Sequence, residues 1–152
     1  MGINPHANPL DGEPFYLTLE RPIDGLEFVR LFHGTSDGCV YKGEVMTGPF
    51  TCYFMLKRLG VCRDLDEVRA KHQSLNKIPQ GQWLWAFFQA YPHLKGEPCI
   101  GIADLSWSYL SRHPKDSGVY FPMIAYYMVG SGRGLFPEMG SYGDHYRWLT
   151  FV

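Results

Sequence analysis

The chain has 152 residues, with 14 Lys and Arg against 15 Asp and Glu for a formal charge of −1; 45% of its residues are hydrophobic and 16% aromatic. One domain of this length buries roughly two thirds of the surface its unfolded chain would expose, so no disulfide or metal is required to hold it. The balanced charge argues against a domain built to neutralise phosphate backbones, which makes nucleic acid a poor candidate partner.

Cys39, Cys52, Cys62 and Cys99 form no C-x-x-C pair and no repeated spacing, so free thiols in a reducing compartment are expected. The histidines show no i,i+4 pair or His-x-His spacing of the kind that marks a zinc site. At the N-terminus no basic segment leads into an apolar run, so a secretory signal is not expected. The charge-free residues 117–132 are interrupted by Pro122 and several glycines and are too short to span a bilayer as a helix. A cytoplasmic protein without membrane contact is the expectation.

Residues 1–25, rich in Pro, Gly, Asn and Asp, read as an extended N-terminal arm preceding a single domain over 26–152. Within the arm, Phe15-Tyr16-Leu17-Thr18-Leu19 alternates as an edge strand would. Residues 26–32 are expected to be a buried strand ending in a His33-Gly34-Thr35 turn, with Asp37-Gly38 as a second turn signal. Another extended piece is expected over 43–47, and Thr51 reads as the cap of a helix over 52–59 closed by Gly60.

Asp64 followed three residues later by Glu67 is a capping signature for a helix over 65–75. Residues 82–91 carry Trp83, Leu84, Trp85, Phe87 and Phe88 almost all round, so that helix should be largely buried. Strands are expected over 98–103, over 119–129 with a break at Pro122, and over 146–152, with a short helix after Asp104-Leu105-Ser106. Helices in the middle of the chain and strands at both ends indicate a compact α+β domain rather than a repeating βαβ sheet.

The His33-Gly34-Thr35 turn would bring an imidazole, an open backbone and a hydroxyl to one spot, a fit for a flat polar ligand. The plain alternative is a tight turn whose His33 caps a neighbouring carbonyl. Gly130-Ser131-Gly132-Arg133-Gly134 lacks the Lys-Ser/Thr of a phosphate-binding loop and reads as a mobile loop. Cys52 or Cys62 paired with a histidine would be a thiol nucleophile, but buried free cysteine is the commoner state.

Leu31-Phe32-His33-Gly34-Thr35-Ser36 followed by Gly43-Glu44-Val45-Met46-Thr47 resembles the first motif of the ADP-ribosyltransferase superfamily, especially the small rifamycin-type and phage-borne enzymes. The resemblance covers about 20 residues and implies a split pair of strongly bent β-sheets with NAD in the cleft between them. It implies that His33 bonds a ribose hydroxyl of NAD, that the Gly34 backbone pairs with the nicotinamide carboxamide, that Thr35 supports the turn, and that Tyr53 or Phe54 stacks on nicotinamide. It further implies an acid on or near a late strand, for which Asp144, Glu138 and Asp104 are the candidates, Asp144 foremost. Such an acid would stabilise the positive charge that develops on ribose as the glycosidic bond breaks. The chain has no Glu-x-Glu, so arginine-directed transfer is not implied. The expected function is thus NAD-dependent ADP-ribosyl transfer to a protein or small-molecule acceptor, or NAD hydrolysis. The alternative is a non-catalytic inhibitor or interaction module on a related fold.

Overall fold

The computed structural model describes residues 8–48, 50–94, 97–109, 118–126, 132–138 and 140–152. Among them the chain forms an α+β domain of one mixed sheet and three helices. After a 3-10 turn at Pro9–Asp11, strand β1 is Phe15–Thr18, helix α1 Gly25–Phe32, β2 Cys39–Tyr41 and β3 Thr51–Lys57. Helices α2 (Leu65–Leu75) and α3 (Trp83–Ala90) follow. The remaining strands are β4 (Ile100–Gly101), β5 (Trp107–Tyr109), β6 (Gly118–Ile124), β7 (Arg133–Pro137) and β8 (Arg147–Phe151).

The sheet order is β1-β3-β8-β4-β6-β5-β2, with β7 on β6, and only β4 and β8 run parallel. Because β7 occupies one edge of β6 over Tyr120 to Ile124, β5 and β4 must share the other, β5 opposite 118–120 and β4 opposite 123–124. Pro122 falls at the gap between them. A proline has no N–H to give to a ladder and is normally confined to sheet edges and bulges. Here its missing donor faces the place where 102–106 leaves the sheet, while its carbonyl accepts the Ile102 N–H at 3.3 Å. The expected break at Pro122 is therefore not in β6, which runs through it, but in the neighbouring edge. That break lets 102–106 loop out, carrying Asp104 with it.

Alternation along the strands divides the core. Phe54, Leu56, Leu149 and Ile124 join Phe28, Val29 and Phe32 of α1 and Trp83, Leu84 and Phe87 of α3 in one cluster. Phe121, Met123 and Trp148 point the other way and join Leu65 and Val68 of α2 in a second. Phe15, Leu17, Leu19 and Ile23 belong to the first cluster, so the stretch from 15 to 23 is part of the packed core.

Several local expectations are corrected. Residues 26–32 are helical: Asp24 caps α1, accepting the N–H groups of Leu26 at 3.0 Å and Glu27 at 3.4 Å. The buried set Gly25, Phe28, Val29 and Phe32 follows the helical period, while Arg30 and Leu31 face water. Residues 51–57 are a strand, because β3 has a partner on each side, β1 and β8. After Asp104-Leu105-Ser106 comes β5 rather than a helix, and 43–47 belongs to no strand. The expected edge strand, the helix over 65–75, the buried helix at 83–90 and the final strand are all present. Residues 127–131, which include Gly130 and Ser131 of the glycine-rich loop, lie outside the described residues, whereas Arg133 and Gly134 of that loop begin β7. No helix among the described residues is long and apolar enough to cross a membrane.

Candidate functional site

A cavity of about 420 Å³ opens where the 43–48 segment, the α2–α3 linker and the looped-out residues 104–106 meet. Its size lies within the ~300–1,000 Å³ range of ligand pockets. Glu44, Val45, Thr47 and Gly48 form one wall, Lys77 to Gln80 a second, and Arg69, Asp104 and Ser106 a third; the rings of Tyr41, Trp83 and Phe151 border it. Two carboxylates and two cations thus face a space edged by aromatic rings.

Asp104 is held from several directions. One carboxylate oxygen accepts the Gly81 N–H at 2.7 Å, and the other accepts the Ser106 N–H at 3.2 Å and the Ser106 hydroxyl. These bonds from N–H and O–H donors fix the orientation of the carboxylate. Arg69 of α2 donates to the Ala103 carbonyl, tying α2 to the same loop.

The opposite wall is pinned at the Glu44 carbonyl, which accepts from the Tyr41 hydroxyl at 2.8 Å and the Gln80 amide at 3.1 Å. Gln82, itself buried, donates to the Tyr41 oxygen at 3.1 Å and the Ile23 carbonyl at 3.3 Å. Burial pushes the Tyr41 phenol above its ordinary range, so it acts as a neutral donor. Gly43 lies against the Tyr41 ring so closely that a Cβ would overlap it, which is why the segment can pass there. The Cys52 thiol also borders the cavity, and burial raises its pKa, which disfavours the thiolate a nucleophile requires.

The residues singled out from sequence are dispersed. His33 caps the C-terminus of α1 and its Nδ1 accepts the Leu135 N–H of β7 at 3.1 Å, which leaves the ring proton of the neutral form on Nε2. Burial lowers its pKa, favouring that neutral form. His33 does not line the cavity. Gly34 follows with φ +104° in a helix exit rather than a strand end, and the Thr35 hydroxyl accepts the Asp37 N–H at 3.2 Å, closing a local turn.

Tyr53 is exposed opposite Tyr16, whereas Phe54 lies in the core, stacked on Phe151 at 5.0 Å and 25°. Asp144 precedes β8 as expected but is exposed, 4.0 Å from Arg58; Glu138 is exposed just after β7. Of the three candidate acids only Asp104 borders the cavity. Arg69, Lys77, Gln80 and Tyr41 carried no usable sequence pattern, being spread over a helix, a linker and a strand. The Asp-x-Ser spacing of 104 and 106 was the one local signal, since an Asp side chain bonding two residues on is a recurring turn device.

Comparison of the chain with protein-family models, with curated proteins and with solved structures finds no match.

Proposed function

We propose that the cavity binds a small polar ligand, that this ligand is NAD, and that the protein transfers ADP-ribose from it to a protein or small-molecule acceptor, or to water. One observation supports this reading: Glu44, Val45 and Thr47 of the motif-like segment and Asp104 of the candidate acids border the same cavity. Trp83 and Phe151 would offer faces to the nicotinamide and Arg69 and Lys77 would meet the diphosphate. The anchored Asp104 would oppose the charge that grows on ribose. In the reaction the bond from ribose C1′ to nicotinamide nitrogen breaks, and nicotinamide leaves with the electron pair. The acceptor's lone pair forms the new bond, and its proton passes to solvent. His33 has no part in this proposal; its role is to join α1 to β7.

The test is a titration with NAD that follows both melting temperature and nicotinamide release. NAD should raise the melting temperature in a concentration-dependent way. Asp104→Asn should keep that rise while lowering release by about 100-fold or more, the typical scale for losing a preorganised charge partner. His33→Ala should lower stability and leave kcat/KM within about threefold of wild type. Absence of both the thermal shift and nicotinamide removes the NAD reading.

A second reading, a non-catalytic module that binds another protein, is favoured by Tyr16 and Tyr53. These rings face each other across β1 and β3 and are 52% and 56% exposed, beside what is the edge of the sheet among the described residues. A thermal shift with NAD but no release of nicotinamide would favour this reading over catalysis.

A further inference from the structure

A second cavity, about 450 Å³, lies between the 3-10 turn at Pro9–Asp11 and the adjoining ends of β3 and β8. Lys57, Arg58 and Arg147 border it, with Asp11 as the carboxylate among the lining residues. Concentrating three cations there is notable in a chain whose net charge is −1.

The register explains why the cations crowd. The last paired residues of β3 and β8 are Lys57 and Trp148, so the next step places Arg58 directly across from Arg147. Like charges opposite each other on adjacent strands are destabilising. Burial depresses the Arg147 pKa and the Arg58 charge depresses it further, which is the signature of that crowding. Relief from Asp144 is slight, because its carboxylate is 4.0 Å from Arg58 and both side chains are more than half exposed.

Donors also remain for a ligand. Arg147 uses Nη1 for the carbonyls of Asp144, His145 and Tyr146 at 3.1 to 3.3 Å. Its Nε and Nη2, the Lys57 ammonium and the Arg58 guanidinium make no hydrogen bond to protein among the described residues. An oxyanion with several acceptor oxygens would use these donors and cancel the repulsion together.

We infer that this cavity is a binding site for a phosphate group, held by Arg58 and Arg147 with Lys57 at its border. The site is separate from the Asp104 cavity and does not depend on how that cavity is used.

The experiment is a titration of the full chain with inorganic phosphate, pyrophosphate and AMP, each at constant ionic strength balanced with sodium chloride. Binding is read from melting temperature and from the NMR signals of the arginine Nε–H groups. At least one of the three should bind saturably, shift the Arg147 signal and raise the melting temperature; the tightest identifies the form of phosphate recognised. Arg58→Gln should weaken that binding by about tenfold or more, and Arg63→Gln, the same charge change on an exposed arginine that does not border the cavity, by less than twofold. Arg58→Glu should raise the melting temperature in chloride by pairing with Arg147 and abolish the rise caused by phosphate. No saturable binding, or equal weakening by Arg58→Gln and Arg63→Gln, overturns the inference.

Discussion

His72 lies wholly buried on α2, and neither ring nitrogen has a hydrogen-bond partner among the described residues. Burial, and next the nearby Arg69 charge, bring its pKa down from 6.5 to about 4. The folded state therefore holds the neutral ring, while the unfolded chain takes up a proton near pH 6.5. Stability from this difference is complete above pH 6.5 and declines as the pH falls toward about 4. Glu67 acts lower down: the Arg63 backbone N–H and guanidinium hold its carboxyl at about 2, so its contribution fades only as the pH drops below 4.5. His72→Leu should raise stability at pH 7 by about 1–2 kcal/mol, since it removes unpaired buried polar atoms. It should also flatten the loss between pH 6.5 and 4.5 while sparing the loss below 4.5. Urea unfolding across that pH range checks both outcomes.

Helix α1 shows how an element is decided by contacts as well as by its own residues. Asp24 followed by Glu27 three positions later is a capping pattern, and Glu27 also pairs with Arg21 outside the helix. The same stretch carries a Phe-Val-Arg-Leu-Phe run that suits a strand equally well. Contacts around Gly25 favour the helix: the Tyr41 ring sits on its α-carbon and the Trp107 indole N–H donates to its carbonyl at 3.0 Å. Gly25→Ala should cost about 1–3 kcal/mol through overlap with Tyr41, the usual range for overpacking. Combining it with Tyr41→Ala should give a loss smaller than the sum of the two single losses, measured as a double-mutant cycle in urea. Additive losses would show that the ring is not what glycine accommodates.

At the scale of the molecule, the two core clusters lie on opposite faces of one sheet and are joined through β4, β6 and β8. Neither cluster can lose its helices without exposing strands that carry the other. Unfolding should therefore be a single transition, with tryptophan fluorescence and far-ultraviolet circular dichroism giving the same urea midpoint. Separate midpoints would assign independent stability to the two faces.

Read alone, the sequence determined those features whose signals are local: the Asp64 cap of α2, the all-round apolar pattern of α3, the alternation of β1 and the final strand, and with them the α+β class. It could not separate helix from strand over 28–32 or over 51–57, because short apolar runs satisfy both periods. Pairing with β1 and β8 decided 51–57, and packing around Gly25 decided 26–32. Asp104 was legible as a candidate acid, but its companions Tyr41, Arg69, Lys77 and Gln80 were not. They come together only because the sheet edge opposite Pro122 is broken and 102–106 loops out toward α2 and the 43–48 segment. Interactions within a few residues are written in the order of the chain, whereas a site assembled from segments far apart in sequence exists only once the strands have found their partners.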